Sequence, residues 1–268
     1  MTATDNRQEG TLLLTREGPV ATIVVSNVQR RNAMSRAMWE QLPAMLASLE
    51  QDGHTRVVVI TGEGEKSFIS GADISEFGSQ RLSADAVMRY EATVTDALQA
   101  IRAFARPVIA SINGYCIGGG MALALACDLR IAAQSARFSI PAARLGLGYE
   151  AANTRSLVQV VGPAAATEIM FTARIYDAQR ALALGLVNEV HEDGALAAAT
   201  DRLCNEIAPL APLSIAASKR SIQSALSPEN ESCRQAADSA VARCATSTDY
   251  AEGVAAFMAK RAAKFVGQ

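Results

Sequence analysis

Acid–base chemistry in this chain falls to carboxylates. It carries 2 His against 27 Asp and Glu. The two histidines, His54 and His191, flank predicted strands and are expected to face solvent. The backbone is the other chemical resource. Two Gly-rich loops each follow an apolar, β-branched run: FISGADI (68–74) after VVVITG, and NGYCIGGG (113–120) after VIASI. Loops at strand ends are where sites gather in α/β sheets. Three glycines opening an apolar helix bare the chain to a ligand and leave free N–H groups at the positive end of the helix dipole. Taken singly, such a loop is equally a tight turn that lets helix and strand pack. Together, N–H groups from two loops could grip one oxygen as negative charge develops on it. That arrangement suits a thioester carbonyl becoming an enolate, and it asks only for glycine or alanine around it.

Other chemistries are poorly provided for. The 5 Cys are scattered with no C-x-x-C pair, which argues against zinc and against a disulfide framework. No metal site is expected. G-x-G-x-x-G, G-x-S-x-G and H-E-x-x-H are absent, and GEGEKS (62–67) misses the spacing of a phosphate loop. A net charge of −2 gives no bulk positive field for nucleic acid, and 50% hydrophobic residues exclude intrinsic disorder. The polar N-terminus lacks a secretory h-region, and no apolar run reaches the ~18–20 residues of a membrane span. These features predict a cytoplasmic protein with neither nucleic acid nor membrane as partner.

The elements that must hold the loops can be read from periodicity. Residues 20–26, 56–61, 108–112, 129–133 and 137–140 read as strands. Ser35 is a plausible N-cap for a helix to about Asp52, with Met38, Leu42, Met45, Leu46 and Leu49 at helical spacing. A second helix is expected from about Ala84 to Phe104, and Met121–Ala126 opens a third. Residues 76–98, with Phe77, Met88, Tyr90 and Val94, are expected to line a pocket. Strands alternating with helices imply an α/β fold with largely parallel strands. Beyond Arg155 the chain reads as helices, apart from Val187–Val190; the last four are 195–208, 212–226, 231–245 and 249–265.

The ordered segments TGEGEKSFISGADISEF, RPVIASINGYCIGGGMALALACDLRIAA, ARFSIPAARLGLG and FTARIYDAQRALALGLVNEV resemble the crotonase (enoyl-CoA hydratase/isomerase) superfamily. The likeness extends to QRRNAMS and EGVAAFMAKR and runs from about residue 12 to 265. It implies a crotonase-like ββα-repeat spiral core over residues 1–195. It also implies a helical trimerisation region over 196–268, giving a homotrimer or dimer of trimers. The substrate would be an acyl-CoA thioester, with coenzyme A part of the substrate and no separate cofactor. Carried over by position, the oxyanion-hole N–H groups belong to Ala72 and Gly119, flanked by Gly71 and Gly118. Arg30, Arg31 and Ala33 fall where the family meets coenzyme A, and Asp73 and Ile74 border its adenine pocket. Ser75 stands where a Lys is common. Phe257 and Lys260 match a segment that reaches coenzyme A, often from a neighbouring subunit.

Two departures carry more weight. Hydratases of this superfamily use a glutamate after the Gly-rich loop and another after a Pro; here those positions are Ala122 and Ala142. Alanine neither activates water nor delivers a proton. Glu150, in RLGLGYEAAN, stands where hydratases have Gly, and by resemblance it matches the catalytic Asp of dienoyl-CoA isomerases. One carboxylate beside an enolate site can move a proton between carbons, so double-bond isomerisation is the favoured reaction. The alternatives are hydration by other groups, or an acyl-CoA-binding protein without catalysis. For Glu150 the structural alternative is a salt bridge to Arg144 or Arg155. Tyr149 and Tyr115 are secondary candidates, and Asp128 reads as a cap or ion-pair partner.

Overall fold

A computed structural model describes residues 10–73 and 84–268. Strands β1 (Thr11–Glu17) and β2 (Val20–Ser26) form an antiparallel hairpin, and the strict alternation of β2 buries Ala21, Ile23 and Val25. Strands β3 (Val57–Gly62), β5 (Val108–Ile112), β7 (Leu129–Ala133) and β10 (Glu189–His191) add to it in parallel. The larger sheet therefore has the order β1-β2-β3-β5-β7-β10. Strand β5 is buried throughout, as a parallel strand covered on both faces must be.

A second sheet interleaves with the first. Strands β4 (Ser67–Ile69), β6 (Tyr115–Ile117) and β8 (Arg137–Ser139) are parallel, with β9 (Tyr176–Asp177) antiparallel at the edge. Each is reached directly from a strand of the larger sheet: β3 to β4, β5 to β6, β7 to β8. Helices then carry the chain onward: α2 (Ala84–Ala103) after β4, α3 (Gly119–Ala126) after β6, and α4 (Ala142–Leu145) and α5 (Ala151–Thr172, kinked at Gly162) after β8. This is the ββα spiral. Two of its strands, β4 and β6, lie inside segments that the sequence presents as Gly-rich loops. They are three residues long, too short for periodicity to register. Strand β1 likewise carries no reading in the sequence.

Helix α1 (Arg36–Gln51) is capped as expected, the Ser35 hydroxyl accepting the Met38 N–H at 3.3 Å. Its stripe of Met38, Trp39, Leu42, Leu46 and Leu49 is fully buried in the main core against the sheet and α2. The alternate residues of the larger sheet, Val57, Val59, Ile109, Ile131 and Ala133, form a second core with Leu196 and Cys204 of α7 (Leu196–Ile207). A short α6 (Ala178–Ala183) precedes β10.

Beyond α7, α8 (Pro212–Ala225) and α9 (Glu231–Ala245) pack on one another. Lys219 of α8 is buried, with Nζ 2.8 Å from Asp128 Oδ2 and near the carbonyls of Ile101 and Arg106. Asp128 also accepts the Val108 N–H, so it is the ion-pair partner that its position suggested. The last helix, α10 (Thr248–Met258), stops short of the expected 265. The tail instead folds back: buried Asp249 accepts the N–H groups of Val266 and Gly267, and Glu252 pairs with Arg261. These tertiary bonds override the local helical propensity of AKRAAK. All five cysteines are free thiols. Among the described residues, no helix is long and apolar enough to cross a membrane and no acid, His or Cys cluster could hold a metal.

Candidate active site

The two Gly-rich loops meet. Met34 and Ala72 form an isolated parallel bridge. In it the Met34 N–H reaches Gly71 O at 2.8 Å and Met34 O receives the Asp73 N–H at 2.9 Å. A residue flanked in this way keeps its own N–H on the opposite side, so Ala72 N points away from Met34. Gly119 lies alongside it: a Cβ placed on Gly119 would sit 3.7 Å from Ala72 N and 3.6 Å from Gly71 C. Gly119 is the first residue of α3, where an N–H has no partner within the helix. Backbone N–H groups from two separate loops thus lie close together.

The three glycines at the start of α3 divide their work. Gly118 adopts φ 54°, a conformation that side chains disfavour, and its N–H is bound to Ser139 O at 2.9 Å. Gly120 is required by packing, because a Cβ there would lie 2.3 Å from Ile69 O of β4. Gly119 is under neither constraint: its Cβ would find ordinary contact distances, the nearest being 3.5 Å to Trp39 Cζ2. The protein's own packing therefore explains Gly120 but leaves Gly119 unexplained.

The positions singled out for acid–base work lie on α3, α4 and at the start of α5. Ala122 is buried one turn into α3, and Ala142 opens α4 packed against the main core. Glu150 is the N-cap residue of α5, yet its side chain does not cap that helix. Oε2 instead accepts from Thr95 Oγ1 of α2 and from Asn153 Nδ2, both at 3.2 Å. Neither Arg144 nor Arg155 pairs with it, so the predicted structural alternative is not what the chain adopts. Burial pushes the Glu150 carboxyl above the ordinary carboxylate range; the Thr95 hydrogen bond opposes this and the nearby charge of Glu91 adds to it. The preceding residue ties this region to the Gly-rich loop, with Tyr149 Oη donating to Gly118 O at 3.4 Å. Burial also pushes the Tyr149 phenol upward, which keeps it a neutral donor.

Other sequence candidates fall into place unevenly. Arg30 Nη1 lies 2.5 Å from Asp73 Oδ2, and Asp73 is buried. That pair braces the loop bearing Ala72. Arg31, at φ 52°, is exposed with its guanidinium 5.5 Å from the Tyr115 ring centroid. Ala33 is buried beside the bridge. Ile74, Ser75 and Phe77 lie outside the described residues. Of the remaining pocket candidates, Tyr90 is buried and Met88 exposed. Phe257 and Lys260 sit exposed at the end of α10 and just after it, a helix packed on α9 and the C-terminal tail. The single chain does not bring them to the two loops. His54 is exposed, whereas His191 is half-buried and bound to Glu189 at 2.7 Å. Thr95, Asn153 and Glu91 escaped the sequence reading; the only available signal was their i, i+4 and i, i+3 spacing on helices that nothing in the sequence pairs.

Comparison with known proteins bears on this arrangement. Residues 15–268 match the Enoyl-CoA hydratase/isomerase family. A short-chain-enoyl-CoA hydratase of Clostridium acetobutylicum is 30% identical, covering 93% of this chain and 95% of that protein. The mitochondrial enoyl-CoA hydratase domain-containing protein 2 of Bos taurus is 34% identical, covering 93% of this chain and 85% of its own length. In structure, the chain is similar to an enoyl-CoA hydratase/carnithine racemase from Magnetospirillum magneticum, with TM-score 0.90, 37% identity and 96% of each chain covered.

Proposed function

The chain belongs to the enoyl-CoA hydratase/isomerase family and is an enzyme of that family, and we propose that within it the protein isomerises a double bond of an acyl-CoA thioester. The observation that carries this reading is the exchange of carboxylates: alanine at 122 and 142, and a half-buried Glu150 held by hydroxyl and amide donors and paired with neither Arg144 nor Arg155. In the reaction Glu150 takes a proton from the carbon next to the thioester carbonyl. The C–H electron pair moves into the carbonyl, and the resulting oxyanion is stabilised by the N–H groups of Ala72 and Gly119. Protonated Glu150 then returns the same proton two carbons further along the dienolate, and the double bond shifts with no net gain or loss of atoms.

The anionic handle of coenzyme A would be met by exposed Arg31 beside the loop that Arg30 and Asp73 brace, along Ala33, Gly71 and Gly118. Phe257 and Lys260 would contribute from a neighbouring subunit. The helical region 196–268, with exposed Ile222, Val241, Val254 and Phe257, would form the homotrimer or dimer of trimers, readable by light scattering. The free thiols suit the cytoplasm. No cofactor is needed beyond the coenzyme A that the substrate carries.

Hydration is the second reading, favoured by the names of the similar proteins. The experiment is turnover of a panel of β,γ-enoyl-, α,β-enoyl- and dienoyl-CoA esters by wild type and Glu150→Gln. Isomer formation lost in the variant supports the proposal. Water addition by the wild type replaces it with the hydratase reading, and binding without turnover of any ester replaces it with that of an acyl-CoA-binding protein.

A further inference from the structure

A polar seam runs between α2 and α5, behind the proposed acid–base group. From α2 it takes Glu91, Thr95 and Arg102, spaced i, i+4 and i+11 on one helix face. From the start of α5 it takes Glu150, Asn153 and Ser156, spaced i, i+3 and i+6. Its bonds cross from one helix to the other: Thr95 to Glu150 at 3.2 Å and Arg102 Nη2 to Ser156 Oγ at 3.0 Å. Asn153 is buried and donates to Glu150. The apolar face of α2, with buried Ala97, Leu98 and Ile101, is taken up in the main core, where α2 packs on α1 and α3. The polar rungs need a separate explanation.

We infer that Thr95 and Asn153 are positioning residues that fix the Glu150 carboxylate for proton transfer, with Oε2 anchored and Oε1 the oxygen that takes and returns the proton. This rests on the reading of Glu150 given above. Both 3.2 Å bonds end on Oε2, whereas Oε1 has only a 3.5 Å contact to Thr95. An oxygen already holding two donors is a poorer proton acceptor than its neighbour. Oε2 accepts from both partners whether or not Oε1 is protonated, so the anchor survives the whole cycle. A fixed carboxylate also removes rotational freedom that proton transfer would otherwise have to freeze.

The described groups facing Glu150 are Thr95 and the carboxylate of Glu91 from α2, Asn153 from α5 and the phenol of Tyr149 from its own loop; Arg102 is bound lower on the seam. They make two opposite predictions. Thr95→Val removes a donor to the charged form, so the acid limb of the kcat–pH profile moves to higher pH. Glu91→Gln removes a like charge, so the limb moves to lower pH. Thr95→Val should also lower kcat about tenfold or more, the scale of a hydrogen bond to a charged group. KM should change little, and Thr95→Ser should restore kcat. A merely structural threonine would alter Tm while leaving the limb in place.

The assays are kcat, KM and pH profiles of the full chain on whichever enoyl-CoA ester the wild type turns over, with Glu150→Gln alongside. Limbs displaced in opposite directions by Thr95→Val and Glu91→Gln support the inference. Loss of activity in Glu150→Gln together with unmoved limbs in both other variants overturns the positioning role while Glu150 keeps its own. Full activity in Glu150→Gln overturns both. Should Thr95→Val not fold, Thr95→Ala and Asn153→Ser remove the two donors one at a time, and an acid limb unmoved in both overturns the inference.

Discussion

The two walls of the candidate site are built from different material. One is backbone: Ala72 N, turned outward by the Met34 bridge, and Gly119 N, at the start of α3. The other is side chain: vacated at Ala122 and Ala142, occupied at Glu150. Backbone donors are positioned by the strand bridge and the helix start, so they persist as long as those elements form. Carboxylates are free to relocate, because a one-residue change adds or removes one without disturbing a ladder. In the proposed reading the chain combines both behaviours, with an oxyanion wall kept in backbone and an acid–base wall rearranged in side chains. On that reading, a shared step stays in the backbone while the reaction that follows changes with a few side chains.

The contrast can be broken in several ways. The largest effect belongs to the side-chain wall. Glu150→Gln should cost about 10²–10⁴-fold in kcat, the range for a general acid–base group, while Tm holds. Next, the backbone wall should fail by volume alone: Gly119→Ala should fold normally, since its Cβ meets nothing closer than 3.5 Å. It should nonetheless lose about 10²–10³-fold in kcat/KM as the methyl displaces the oxyanion from its donors. An active Gly119→Ala would refute the backbone reading. One residue further on the expectation reverses. Gly120→Ala drives a Cβ to 2.3 Å from Ile69 O and should cost about 1–3 kcal/mol of stability as overpacking, read as a fall in Tm. If the two neighbours exchanged phenotypes, the division of labour among the glycines would be wrong.

The smallest effect tests burial at Glu150 through linkage. Its carboxyl is raised in the folded state, so the native protein binds that proton more tightly than the unfolded chain does. Ionising it costs stability as pH rises through the folded value, and the cost is absent below the unfolded value. Glu150→Gln should therefore be at least as heat-stable as wild type at neutral pH, with any advantage vanishing in acid. Thermal melts across pH check this, and a neutral-pH Tm clearly below that of wild type would show that the carboxylate is structural.

Much of this was legible in the residues because it depends on local pattern. The α1 stripe, the buried runs that became β2, β3, β5 and β7, and the two glycine loops are all periodic or compositional signals that act within about ten residues. The alanines at 122 and 142 and the glutamate at 150 could be read directly, and the resemblance gave them meaning. Strands β4 and β6 were not legible, because three-residue strands are made by their neighbours in the sheet and not by alternation of their own. Nor was the end of α10, where carboxylates of Asp249 and Glu252 capture a tail that would otherwise stay helical.

The sequence by itself determined the class of fold, the two glycine loops proposed as an oxyanion wall, and the alanines at 122 and 142 with the glutamate at 150. These follow from residue type and spacing along the chain. Only the tertiary structure decided what surrounds them. It set Gly119 beside Ala72, gave Gly120 to packing, joined Arg30 to Asp73, and turned Glu150 away from Arg144 and Arg155 toward Thr95 and Asn153. The physical reason is range: propensity and periodicity act over a few neighbours. The partners of a half-buried carboxylate, by contrast, are set by which helix faces meet, here across 55 residues of chain.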